Sequence, residues 1–252
     1  MAATFDVEQF GAGPELLLLH SLLTDRGSFA PVLPAFSRQR RVSLLALPGF
    51  GRSTPAGPAV EDYADRVAEF VARLPGKPDV IGNGFGGFVA LALAARHGAA
   101  LEKLVLADTG ACFPEEGRAP FRAMAEAVER SGMAAIVPTA VKRIFPERYL
   151  AAHPEALAER REVLLRMQPK PFATACRALA RVDLRPALKG IRNPTLVIVG
   201  ELDAATPPAL ATELSAGIQG AKLVRLPDCG HCPPLEQPEA FLAAVQPFLG
   251  LE

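Results

Sequence analysis

The sequence predicts an α/β protein, a doubly wound and mostly parallel sheet with an inserted helical lid. Three observations carry that prediction. Short apolar runs recur along the chain without alternating with polar residues, as expected of strands covered on both faces. Stretches with helical spacing stand between successive runs, and strand, helix, strand in succession implies right-handed crossovers joining parallel neighbours. From Asp108 to about Arg192 the alternation breaks, and only helical segments appear.

In chain order, residues 4–9 alternate apolar with polar and start an antiparallel edge hairpin. The runs at 15–20, 41–46, 79–81, 103–107, 194–199 and 221–226 are the buried strands, and 61–74, 85–97, 207–218 and 238–249 are the helices that cover them. Within the interruption, 118–131, 134–145, 154–167 and 172–182 read as four helices, separated by Gly132, Pro146, Pro154 and Pro169 or Pro171. The expected domains are a core of residues 1–108 and 191–252 and a helical cap of residues 109–190. The cap holds 14 basic and 9 acidic residues, the remainder 13 and 18, so the two parts carry opposite net charge. Electrostatic cohesion across their interface accounts for this; so does a lid that attracts a carboxylate-bearing substrate.

At 252 residues with 50% hydrophobic side chains, the chain can fill a sizeable interior, which excludes a disordered or fibrous protein. Lys plus Arg equals Asp plus Glu at 27 each, leaving no global field to hold nucleic acid or an anionic membrane. The longest apolar runs are far too short to span a bilayer. Four irregularly placed cysteines (Cys112, Cys176, Cys229, Cys232), and opening residues without a basic start and apolar signal core, point to a reducing cytoplasm. The basic surplus of the cap is consistent with a small, anionic molecule as partner, and the protein is expected to be a monomer or homodimer.

Chemistry in open parallel sheets collects at the carboxyl ends of the strands. After the run at 79–81 comes Gly82-Asn83-Gly84-Phe85-Gly86-Gly87, then an apolar helix. Strand, tight glycine turn, helix is the setting of the nucleophile elbow G-x-S-x-G, whose middle residue attacks the substrate. Here that residue is Gly84. The same segment fits the dinucleotide fingerprint G-x-G-x-x-G, but it follows a later strand than the first, and the only acidic residue at a strand end about twenty residues on is Asp108. No cofactor is expected. Cys229 and Cys232 have C-x-x-C spacing, yet no second ligand pair completes a metal site, so they read as packing thiols and no metal is expected.

Several further motifs follow in order: Leu19-His20-Ser21-Leu22, Leu47-Pro48-Gly49-Phe50-Gly51-Arg52-Ser53, Gly200-Glu201-Leu202-Asp203, and Cys229-Gly230-His231 with Pro234, Glu236 and Pro238. Together with the elbow, and over nearly the whole chain, they resemble the α/β-hydrolase superfamily, in particular 3-oxoadipate enol-lactonases and meta-cleavage-product carbon–carbon hydrolases. The resemblance implies an α/β-hydrolase core. It implies His231 as general base and acid, Asp203 as its orienting partner with Asp108 in reserve, and the backbone N–H groups of Leu22 and Phe85 as the oxyanion hole. It also implies a small carboxylate-bearing ester, enol lactone or carbon–carbon diketone as substrate. Ser21, Phe50, Phe113, Phe121 and Phe145 are the candidate pocket residues, Ser21 as a polar contact rather than a nucleophile.

Gly84 departs from the family pattern, because glycine has no side-chain atom with which to attack a carbonyl. Three explanations stand side by side: a serine deliberately replaced to trap substrate, a natural protein in which His231 and Asp203 activate a water or move a substrate proton, and a pocket kept for binding without catalysis. Glycine adopts the positive φ of an elbow without strain, and loss of the hydroxymethyl group is expected to leave room for about one water.

Overall fold

Every residue of β2 (Glu15–Leu19) is buried, and the strand explains the whole architecture in miniature. Leu17 and Leu19 enter one apolar cluster and Leu16 and Leu18 the other, because successive side chains of a strand point to opposite faces. The computed structural model describes residues 3–252. After β1 (Val7–Phe10) and β2 come α1 (Leu33–Ser37), β3 (Arg41–Leu45), α2 (Val60–Val71), β4 (Asp79–Asn83), α3 (Phe85–His97) and β5 (Leu104–Ala107). Five helices follow without a strand: α4 (Glu115–Ser131), α5 (Val137–Ile144), α6 (Glu147–Ala152), α7 (Glu155–Arg166) and α8 (Pro169–Arg181). The chain then returns to the sheet with β6 (Thr195–Gly200), α9 (Pro208–Gly217), β7 (Lys222–Leu226), α10 (Pro233–Glu236) and α11 (Pro238–Leu249).

The seven strands lie in the order β1-β3-β2-β4-β5-β6-β7, parallel throughout except for β1. Residues of α2, α3 and α9 pack into one cluster and residues of α1 and α11 into the other, so the sheet is covered on both faces. The expected doubly wound sheet is thus present. The expected edge hairpin is not: β1 pairs antiparallel with β3, Val7 opposite Leu45, and not with β2, which follows it in the chain. Alternation reports a half-exposed strand and says nothing about which neighbour it takes.

Between β5 and β6 the structure has five helices where four were expected. The segment 134–145 is split into a 3₁₀ turn (Met133–Ala135) and α5, and α6 was not anticipated. The two strands of chain that lead out of and back into the sheet meet at an isolated bridge, Cys112 to Asp183, and Leu184 N–H donates to Ala111 C=O at 2.8 Å.

The junction of β4 and α3 is packed backbone to backbone. A β-carbon at Gly86 would run into the Leu19 carbonyl of β2, and one at Gly82 would come within 2.7 Å of Gly87 N. Glycine at both positions therefore lets the helix start directly over the strand ends. Gly86→Ala is expected to destabilise the protein by about 3 kcal/mol, read as a fall of roughly 6–12 °C in Tm by calorimetry.

Candidate active site

β4 ends in a corner at Gly84, with φ 53° and ψ −117°, a conformation costly for any residue with a β-carbon. Its N–H donates to Ala107 C=O at 2.9 Å, and its C=O accepts from Gly87 and Phe88, the first turn of α3. The Phe85 N–H, first of that helix, has no acceptor among the described residues, and neither has the Leu22 N–H after β2. Both residues line the same cavity, and the positive end of the helix dipole adds to the Phe85 donor. His20 sets the loop that carries Leu22. Its Nε2 accepts from the Leu47 N–H at 3.1 Å, which leaves the proton on Nδ1 to be donated to Ser21 C=O at 2.8 Å. Complete burial pulls the His20 imidazole below its usual range, so it works as a neutral bridge between the loops after β2 and β3.

His231 stands in the loop between β7 and α10, pinned on three sides. Its N–H donates to Ile144 C=O at 2.9 Å, and its C=O accepts from Asn83 Nδ2 at 3.1 Å. The Glu236 carboxylate takes the N–H groups of Gly230 and Cys232 on either side, at 2.8 and 2.9 Å. The ring Nδ1 lies 2.9 Å from Asp203 Oδ2. Asp203 Oδ1 accepts from the N–H groups of Ala205 and Thr206 at 2.7 and 3.0 Å, and the Thr206 hydroxyl donates to Oδ2 at 2.6 Å. Burial pushes the Asp203 carboxyl upward, but His231 and the Thr206 donors outweigh it and hold the group below the usual carboxylate range. Asp108 behaves oppositely. Burial first, and then the Asp203 charge, raise it well above that range. Its Oδ1 accepts from Gly200 N–H at 2.8 Å, anchoring the end of β6, and its backbone takes φ 46°. Of the two acids, Asp203 carries the charge and contacts the imidazole.

The neighbourhood of Gly84 differs from the expectation of space for a water. A β-carbon there would overlap Ser21 Oγ and come within 2.7 Å of His231 Nε2 and 2.9 Å of Ser21 Cβ. Ser21 has turned its hydroxyl to His231 Nε2, at 3.1 Å. With the Nδ1 proton directed at Asp203, Nε2 is an acceptor and the Ser21 O–H is its donor. Carboxylate, imidazole and hydroxyl are therefore in series, an arrangement able to take a proton from an attacking oxygen and return it to a leaving group.

A narrow cleft opens beside these groups, with about 320 Å³ of space between its lining atoms when the part open to solvent is counted. Ser21, Leu22, Gly84, Phe85, Phe113, Phe121 and His231 all line it, as expected from sequence. Two expected wall residues do not. Phe50 lies edge-on to His20, ring centroids 5.1 Å apart, and faces a separate cleft with Val163 and Met167. Phe145 stacks on Tyr149 at 4.7 Å. Both rings pack against other parts of the protein, a use that the sequence does not separate from a place on the pocket wall. Lining residues that went unanticipated include Phe88, Leu179, Thr206 and Arg143. Arg143 is half-buried, its Cζ 5.7 Å from the Phe121 ring, and among the described residues its guanidinium has no hydrogen-bond or ion-pair partner. Burial lowers its pKa against the opposing pull of Asp203, but a guanidinium keeps its charge. Cys229 and Cys232 are buried free thiols in separate apolar clusters, and burial pushes both well above the usual thiol range. Among the described residues no group of three or more potential ligands could hold a metal, and no helix is long and apolar enough to cross a membrane.

Residues 16–244 match the model of the alpha/beta hydrolase family. The chain belongs to that family. Among relatives of this hydrolase, the pimeloyl-[acyl-carrier protein] methyl ester esterase of Aromatoleum aromaticum is 34% identical over 90% of this chain and 94% of its own. The crystal structure of the enol-lactonase from Burkholderia xenovorans LB400 superposes with a TM-score of 0.91 at 32% identity, covering 98% of this chain and 97% of that one. A thermophilic esterase from Thermogutta terrifontis, with malate bound, gives a TM-score of 0.90 at 31% identity over 98% and 93%.

Two outcomes follow from the geometry. Gly84→Ala should lower stability by about 1–3 kcal/mol through overpacking and strain, measured by urea denaturation at neutral pH. The second concerns Glu236, whose carboxyl is pushed up to about 7 by burial, despite the two N–H groups it accepts. A folded-state pKa above the unfolded value means that folding takes up a proton between about pH 4.5 and 7. Stability should fall as pH rises through that window and level off above it, whereas Glu236→Gln should lack this part of the slope. Denaturation midpoints of both proteins at pH 5 and pH 8 check the sign.

Proposed function

We propose that the protein hydrolyses a small ester or lactone that carries a carboxylate, with His231 moving the proton and Asp203 orienting and charging the imidazole. The observation that carries the reading is the cavity itself, whose wall joins His231 of the His–Asp pair, two residues with unused backbone N–H donors, and an arginine without an ionic partner among the described residues. The N–H groups of Leu22 and Phe85 are the oxyanion hole, donating where negative charge develops on the carbonyl oxygen. Arg143, on α5 of the helical segment, would take the substrate carboxylate. A half-buried guanidinium without a partner has lost much of its hydration, and an anion of matching geometry restores it in a bidentate pair. Phe88, Phe113 and Phe121 supply apolar wall in the same cavity.

Residues 109–190 then act as the lid. They deliver Arg143, Phe121 and Leu179 to a cavity whose floor belongs to the core, and their surplus of basic residues favours an anionic substrate. The names of the relatives support different parts of this reading: one is an esterase for a methyl ester on an acyl-carrier protein, one an enol-lactonase, and the third an esterase with malate, a dicarboxylate, bound.

The test uses two chromogenic esters, p-nitrophenyl butyrate and mono-p-nitrophenyl glutarate. Both should be turned over, the glutarate ester with the lower KM, and both activities should be lost in His231→Ala. Arg143→Gln should raise KM for the glutarate ester about ten- to a hundred-fold, the loss of one charge-assisted pair, and leave the butyrate ester within about three-fold. Equal effects on both esters would remove the carboxylate from the reading.

A further inference from the structure

We infer that Ser21 supplies the attacking oxygen that position 84 lacks; the inference rests on the hydrolase reading above and names the nucleophile of that site. Ser21 Oγ is 3.1 Å from His231 Nε2, and among the described residues it has no other hydrogen-bond partner. Although the residue is only 1% exposed, it lines the cavity. The one other hydroxyl on the cavity wall, Thr206, donates to Asp203 at 2.6 Å and is committed to orienting the acid. No cysteine lines the cavity.

The placement of Ser21 is also the right one relative to the oxyanion hole. In the elbow arrangement one donor is the N–H of the residue after the nucleophile. Ser21 and Gly84 each precede one of the two donors, Leu22 and Phe85, so the attacking oxygen can move from one loop to the other while the hole stays where it is. A side chain starting from Gly84 would overlap Ser21 Oγ, so the hydroxyl stands beside the space from which an elbow serine would reach the substrate. Its backbone is held as a nucleophile's must be. The Ser21 N–H donates to Thr24 Oγ1 at 3.1 Å, and the Ser21 C=O accepts from His20 Nδ1 at 2.8 Å.

The chemistry balances without any further component. Ser21 Oγ forms a bond to the acyl carbon while its proton passes to His231 Nε2, and the carbonyl oxygen takes the negative charge between the Leu22 and Phe85 N–H groups. The bond from the acyl carbon to the leaving oxygen breaks, and the imidazolium returns its proton to that oxygen. Water then attacks the Ser21 ester, giving a proton to Nε2; the acid leaves and the proton goes back to Ser21 Oγ.

The experiment treats the full-length protein with diisopropyl fluorophosphate, maps any adduct by peptide mass spectrometry, and follows p-nitrophenyl acetate and mono-p-nitrophenyl glutarate hydrolysis alongside. One diisopropylphosphoryl group per chain on the peptide containing residue 21 is expected, with turnover lost in step. Ser21→Ala is expected to take up no label and to lose at least about a thousand-fold in kcat. A protein that hydrolyses either ester yet remains unlabelled at residue 21, or a folded Ser21→Ala that keeps its rate within about ten-fold, overturns the inference and leaves hydrolysis by His231 and Asp203 standing. Labelled Ser21 in a protein that turns over neither ester overturns the hydrolase reading but keeps the reactive serine, and absence of both label and turnover overturns both. If Ser21→Ala does not fold, the labelling of the unaltered protein decides.

Discussion

At Gly84 the chain turns from β4 into α3 with a positive φ, and the site depends on this corner more than on any single side chain. The corner places Phe85, whose N–H has no acceptor among the described residues, on the cavity wall, brings the start of α3 against the ends of β2 and β4, and leaves Ser21 and His231 within hydrogen-bond distance of each other. Glycine bears the conformation without steric penalty. The glycines at 82 and 86 serve the same corner by letting backbone meet backbone. The corner thus has a structural use in this chain, through the packing and the donor groups it organises.

A second constraint is electrostatic. Two buried carboxyl groups, Asp108 and Asp203, follow the neighbouring strands β5 and β6, and burial makes it costly for both to ionise. Their surroundings divide the work. Asp203 collects the N–H groups of Ala205 and Thr206, the Thr206 hydroxyl and His231; among the described residues Asp108 has the Gly200 N–H on Oδ1 and no hydrogen-bond partner on Oδ2. One negative charge is therefore concentrated behind the imidazole, where it fixes the tautomer that leaves Nε2 free to accept.

The sheet was readable in the sequence because strands buried on both faces must be apolar at every position, and runs such as Leu16 to Leu19 have no other ready use. The partner of β1 was not, since strand pairing is decided by contacts far along the chain. α6 escaped notice because none of its residues is buried, so it has no apolar stripe to read. At the site, His231, Asp203 and both N–H donors were reached through the family resemblance that the short motifs carry, each motif lying in a tight loop at a strand end. Phe50 and Phe145 were misplaced because a phenylalanine packs as well against the body of the protein as against a ligand. Arg143 lies seven residues after the buried Ile136, at the margin of the apolar face of α5, and its lack of an ionic partner is visible only in three dimensions. The contact between Ser21 and His231 spans 210 residues and depends on one side-chain rotation.

Positions 21 and 84 compete for the same few cubic ångströms, and this makes them interdependent over evolutionary change as well as in the folded molecule. Neighbours in contact do not contribute independently, so the fitness of a residue at one position is defined only once the other is given. A side chain built at 84 enters space that Ser21 Oγ and His231 Nε2 border, so it is accommodated only by a rotation of Ser21 away from the imidazole. The rotamer of one serine thereby sets how large a residue its neighbour across the corner can be.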